Sequence, residues 1–191
     1  MKIDPGLLAF DIDGVVADTM TLFVDIAKKY YKIDHIKYDD ITCYELTQCL
    51  TDIDEDIINN ILTRITDGDY SIPLKPVAGA VRVLNKLGLC QSRVCFVTAR
   101  PYPGPVPEWI HTTFLLAPSQ TDIVTTGSYK DKNSALLKRN IKFFVEDRLE
   151  TCFCLQSAGI TPILFKQPWN RENHPFKEVN SWREIESIIK F

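Results

Sequence analysis

The strongest constraint on this chain is a repeating alternation. Five short apolar segments read as strands: residues 7–11 (LLAFD), 93–98 (RVCFVT), 122–126 (DIVTT), 142–146 (KFFVE) and 162–165 (PILF). Helix-period patterns stand between and after them. Residues 77–87 follow Pro76, carry Val77, Val81, Leu84 and Leu87, and meet Gly88, a proline-start, glycine-end arrangement. Residues 130–139 and 149–158 fill the later gaps, and Ser181 with Glu184 forms a capping box opening a last helix. Strands alternating with helices predict an α/β fold, a five-stranded parallel sheet covered on both faces.

One interval breaks the rhythm. The stretch between the first two strands is far longer than one crossover requires. Within it, residues 19–31 place Leu22, Phe23, Ile26, Ala27 and Tyr30 at helical spacing. Thr51 is positioned to cap a second helix bearing Ile53, Ile57, Ile58, Ile61, Leu62 and Ile65. The predicted organisation is therefore a core of residues 1–19 and 73–191, with a helical cap inserted at 20–72. Four prolines in RPYPGPVPEW (residues 100–109) stiffen the loop after the second strand.

Composition narrows the function classes. At 45% hydrophobic and 25% charged residues the chain can bury a core. Lys and Arg total 22 against 25 Asp and Glu, which leaves no basic excess for a nucleic-acid duplex. No apolar run approaches the roughly 18 residues that span a bilayer. Asp4, Pro5 and Asp11 interrupt any secretory segment, so a cytoplasmic location is expected. The six cysteines form no CxxC pair and are expected to be free thiols in a reducing compartment.

Ligands of an open parallel sheet bind outside the carboxyl ends of its strands. The first predicted strand ends in Asp11 and, one residue on, Asp13 and Gly14. The second ends in Thr98, Ala99 and Arg100. Lys130 and Lys132 follow the third, and Glu146, Asp147 and Arg148 close the fourth. Each group alone has a plain explanation: a turn at Gly14, a helix cap at Asp18 or Thr19, solvated lysines, a helix N-terminus at Glu146. Four such groups in this order imply convergence on one rim. Carboxylates packed together repel unless a cation intervenes. All-oxygen donors select a hard divalent ion, here expected to be Mg²⁺, which takes its remaining ligands from water and phosphate.

FDIDGVVADT (10–19), FVTAR (96–100), a lysine in GSYKDK (127–132) and FFVEDR (143–148) resemble, in order, the four motifs of the haloacid dehalogenase superfamily of phosphohydrolases. Within it the chain is most similar to the bacterial 5′-nucleotidase-like group related to the 5′(3′)-deoxyribonucleotidases, a likeness that the tail LFKQPWNRENHP extends. The resemblance implies a Rossmann-like three-layer sandwich with a small helical cap. Asp11 resembles the nucleophile that forms an aspartyl phosphate. Asp13 resembles the general acid/base. Thr98 and Lys132 resemble the residues that hold the phosphoryl group, with Lys130 the fallback. Gly14, Ala99 and Arg100, inside the first two motifs, are expected to contact substrate. Mg²⁺ is expected on Asp11, the Asp13 carbonyl and Asp147, with Glu146 accessory, since many relatives carry aspartate or glycine there. The implied substrate is a small phosphate, with nucleoside monophosphates favoured by the cap aromatics Phe23, Tyr30, Tyr31, Tyr38 and Tyr44. A phospho-acceptor regulatory domain and a catalytically idle binding domain stay open as alternatives.

Overall fold

The computed structural model describes residues 2–90 and 93–191. Its strands are β1 (Leu8–Phe10), β2 (Val94–Thr98), β3 (Thr121–Thr125), β4 (Phe143–Glu146), β5 (Thr161–Phe165) and β6 (Lys177–Val179). They form one sheet in the order β3-β2-β1-β4-β5-β6, and every pairing is parallel. Strand order reverses on either side of β1, so a crevice opens at its carboxyl end. The sheet has six strands where five were predicted. The extra strand, β6, is a three-residue edge of which only Val179 is buried. So short a segment shows no period, and its Lys177 and Glu178 read as loop.

The helices are α1 (Thr19–Tyr31), α2 (Leu46–Cys49), α3 (Glu55–Asp67), α4 (Ala80–Leu89), α5 (Val106–Phe114), α6 (Lys132–Lys138), α7 (Leu149–Ser157) and α8 (Trp182–Ile188). Among the described residues, no helix is long and apolar enough to cross a membrane. Three helix ends differ from expectation. Asp54, not Thr51, caps α3, its carboxylate accepting the Asp56 N–H at 2.8 Å. α4 starts at Ala80, after Gly79 with φ 87°, and runs through Gly88. A Cβ on Gly88 would lie 2.4 Å from Leu116 Cδ2, so that glycine permits close packing rather than ending the helix. α5 was unforeseen. Pro105 and Pro107 occupy its first turn, where the missing N–H groups have no intrahelical partner to lose.

Two features fix the loop after β1. Backbone hydrogen bonds from Asp18 N to Lys75 O (2.9 Å) and Val77 N to Val16 O (2.9 Å) hold the two ends of the α1–α3 segment side by side. Trp182, fully buried against Phe10 with ring centroids 5.2 Å apart, donates its indole N–H to Val15 O at 2.9 Å. The last helix thus anchors the first motif. All six cysteines are free thiols, with Cys95 and Cys152 buried.

Candidate active site

At the carboxyl end of β1 the backbone turns sharply. Gly14 takes φ 74°, and a Cβ there would fall 2.1 Å from Asp147 Oδ2. Only glycine allows the first motif to approach the fourth this closely.

Lys132, the first residue of α6, is 2% exposed. Its Nζ donates to Asp11 Oδ2 at 2.7 Å and to Glu146 Oε2 at 2.9 Å. Lys130, in contrast, is exposed and lies over the Tyr129 ring, so of the two lysines Lys132 alone joins the carboxylates among the described residues. Asp11 Oδ1 accepts the Ile12 N–H at 2.7 Å. Glu146 Oε1 accepts the Asp147 and Arg148 N–H groups at 3.1 and 3.0 Å. Both Glu146 oxygens are therefore engaged by the protein, which suits a buried counter-charge. Asp13 turns to a different partner: Arg100 grips it with Nε on Oδ2 and NH2 on Oδ1, and Thr19 donates to Oδ1 at 2.6 Å.

Donor oxygens of Asp11, Glu146 and Asp147 lie within 4.8 Å of one another. Burial pushes the Asp11 and Asp147 carboxyls well above the ordinary carboxylate range, and the Glu146 charge adds to the shift. Burial would raise Glu146 as well, but Lys132 and the hydrogen bonds outweigh it and hold Glu146 low. At Asp13 burial is likewise outweighed, here by Arg100 and Thr19. Burial would lower Lys132, yet Asp11 and Glu146 keep it charged. Fully ionised, the carboxylates of Asp11, Asp13, Glu146 and Asp147 exceed the charges of Lys132 and Arg100 by two. A divalent cation on oxygen donors fits that surplus.

Above this floor lies a cavity of about 380 Å³. Asp11, Asp13, Gly14, Thr98, Ala99, Arg100 and Asp147 line it, so the structure brings these expected site residues together. Thr98 Oγ1 accepts the Arg100 N–H at 3.3 Å, shaping the loop after β2. The opposite wall comes from α2 and α3, through Leu46, Ile58, Leu62 and Ile65. Of the five aromatics singled out in this segment, only Tyr44 lines the cavity. Phe23 is core, Tyr30 lies under the Arg64 guanidinium at 4.5 Å, and Tyr31 bonds Asn60 on the exterior. Tyr38 reaches Gln167 instead, at 2.6 Å. Tyr44 stacks on Arg148, whose guanidinium sits 4.1 Å from that ring and from Tyr129. This sandwich joins the α1–α3 segment to the sheet domain.

Three residues of the site escaped sequence reading: Gln167, Trp169 and Asn170. They lie just beyond the end of β5, where no carboxylate marks the end of the strand as at β1 and β4. Trp169 also lines the cavity.

Comparison with known proteins gives a family and relatives of the same fold. Residues 6–191 match the family described as 5′ nucleotidase, deoxy (pyrimidine), cytosolic type C protein. A 5′(3′)-deoxyribonucleotidase of Bacillus subtilis (strain 168) is 27% identical over 183 residues, covering 94% of this chain and 96% of the relative. Among solved structures, a haloacid dehalogenase superfamily hydrolase from Ehrlichia chaffeensis shares the fold at TM-score 0.57, with 17% identity over 98% of this chain and 96% of the other. A haloacid dehalogenase-like hydrolase from Streptococcus pneumoniae does so at TM-score 0.63, with 11% identity over 94% and 96%.

Proposed function

The chain belongs to the cytosolic type C 5′-nucleotidase family, and we propose that it is a Mg²⁺-dependent phosphomonoesterase that acts through an aspartyl phosphate on Asp11. The chain is an enzyme, a phosphatase of haloacid dehalogenase type. The observation that carries the finer reading is the position of Asp11 on the cavity floor, one oxygen on Lys132 and the carboxylates of Glu146 and Asp147 beside it.

Asp11 and Asp147, with the Asp13 carbonyl, would hold Mg²⁺, which when bound supplies positive charge against the phosphoryl oxygens. In the first half-reaction an Asp11 oxygen forms a bond to phosphorus as the ester P–O bond breaks. Asp13 delivers the proton that the leaving oxygen needs, then takes one from the water that hydrolyses the aspartyl phosphate. Arg100 holds Asp13 ionised in the free enzyme, so before the donating step Asp13 takes up a proton, from solvent or from a substrate that enters as its monoanion. An entering phosphate offers Arg100 a second anion, which weakens its hold on Asp13 and favours that uptake. Thr98 and Lys132 orient the phosphoryl group, with Gly14 and Ala99 at the wall.

The substrate class proposed is a nucleoside monophosphate, deoxynucleotides included. The cap at residues 20–72 supplies the apolar wall and Tyr44 for a base. Free thiols throughout support a reducing, cytoplasmic setting. The test is hydrolysis of a panel of nucleoside monophosphates and glycerol phosphate, with Mg²⁺ and with EDTA. The proposal expects higher kcat/KM on nucleotides and loss of turnover in EDTA. Full activity in EDTA contradicts the metal, and preference for a base-free phosphate contradicts the substrate class.

A further inference from the structure

The segment after β5 makes hydrogen bonds that a mere connection would not need. Trp169 Nε1 donates to Asp147 Oδ2 at 3.0 Å. Asn170, 1% exposed, donates from one amide nitrogen to Asp147 O at 2.6 Å and to Phe165 O at 2.9 Å. Its Oδ1 accepts the Gln167 N–H at 3.0 Å, closing the turn. Gln167 in turn donates to Gly14 O at 2.5 Å. One short loop thus holds the carboxylate and carbonyl of Asp147 and the backbone of the first motif.

Trp169 is itself held in place. Its ring lies 5.8 Å from that of Tyr38, and its Cζ2 sits 3.1 Å from where a Gly14 Cβ would be. The indole N–H has a single donor direction, so it fixes Oδ2 rather than swinging between the two oxygens. Among the described residues no donor reaches Asp147 Oδ1, which leaves that oxygen for a ligand. A carboxylate oriented in this way needs little reorganisation when it takes up a cation.

We propose that Trp169 is a positioning residue for divalent-cation binding, acting through its hydrogen bond to Asp147. The inference rests on the proposed metal role of Asp147 and adds the group that orients it. Outer partners of metal-binding carboxylates typically contribute about 10–100-fold in metal affinity or activity.

The test uses Mn²⁺ and Mg²⁺ alone, without substrate. Mn²⁺ affinity is measured by electron paramagnetic resonance of the free ion for wild type and Trp169→Phe, a change that keeps a ring but removes the N–H. The expected result is roughly tenfold or greater weakening in Trp169→Phe with the metal-free Tm little changed. In ¹H–¹⁵N spectra of the wild type, Mg²⁺ should saturably shift one indole proton of the three tryptophans, the one missing from the variant. Should Trp169→Phe fail to fold, the wild-type spectrum decides: three indole protons unmoved at saturating Mg²⁺ overturn the proposal. Equal Mn²⁺ affinity in wild type and variant overturns it while leaving the metal site standing. A wild type that binds neither ion overturns the metal reading and this inference together.

Discussion

Arg100 grips Asp13 in a two-point ion pair, Nε to Oδ2 at 2.9 Å and NH2 to Oδ1 at 2.7 Å. Asp13 is thereby held by Arg100, with Thr19 also donating to Oδ1, while Asp11, two residues earlier, faces Lys132 and the cavity. In the proposed mechanism that separation gives the paired acids different work. Asp13→Asn should slow hydrolysis most for esters with poor leaving groups and spare p-nitrophenyl phosphate, whose leaving group needs less protonation. Steady-state kcat on both substrate types checks it, and equal losses would contradict an acid role.

The lysines offer a structural contrast. Lys132→Ala leaves Asp11 and Glu146 buried without their cation and should lower stability by about 3–5 kcal/mol in metal-free protein, with activity lost. Lys130→Ala removes an exposed ammonium and should change stability by no more than about 0.5 kcal/mol. Denaturant unfolding and turnover measure both. Reversed severities would show that the third motif is in a different register.

Metal and pH should be linked in a definite direction. Asp11 and Asp147 have raised folded-state values, so the folded metal-free protein holds protons that the unfolded chain releases. Their stabilising contribution is present at low pH and is lost as pH rises through those raised values, above the ordinary carboxylate range. Asp13 and Glu146, lowered, titrate below that window. Because Mg²⁺ requires both aspartates ionised, its stabilisation should grow over the same window, reaching about 2.7 kcal/mol at 100 times Kd. Tm in EDTA and in Mg²⁺ at pH 5.5 and 8 tests this. A Mg²⁺ shift equal at both would contradict it.

Of the five aromatics expected between the first two strands, Tyr44 alone lines the cavity. Tyr44→Ala should reduce the kcat/KM advantage of a nucleotide over glycerol phosphate by roughly tenfold, the size of one lost stacking contact of about 1–3 kcal/mol. Tyr31→Ala, altering a side chain directed at Asn60 outside the cavity, should leave that ratio unchanged. Parallel kinetics on the two substrates decide it. An unchanged ratio in Tyr44→Ala would remove the stacking role.

Much of the site was legible because it lies where apolar strands end in polar residues. Asp11, Thr98 and Asp147 stand out against buried runs such as Val94–Thr98. The choice between Lys130 and Lys132 depended on where α6 begins, a boundary that sequence periodicity leaves loose by a few residues. Residues 167–170 were harder to see. Their bonds to Gly14 and Asp147 join positions 153 and 22–23 residues apart, and no local period marks such contacts. α5 was hidden by prolines that a first helical turn accepts, and β6 by its two charged residues at the sheet edge. The cap aromatics misled for a simpler reason. Helical spacing assigns Phe23 and Tyr30 a face, but Tyr38 and Tyr44 lie outside α1 and α3, where no period says which ring meets the cavity.

Attack of Asp11 on phosphorus is tested most directly by kcat of Asp11→Asn with Mg²⁺ on the best nucleotide found in the panel. The amide keeps the shape of the side chain and removes the attacking charge. A fall of several orders of magnitude with the fold intact is expected. Undiminished hydrolysis by Asp11→Asn would contradict it.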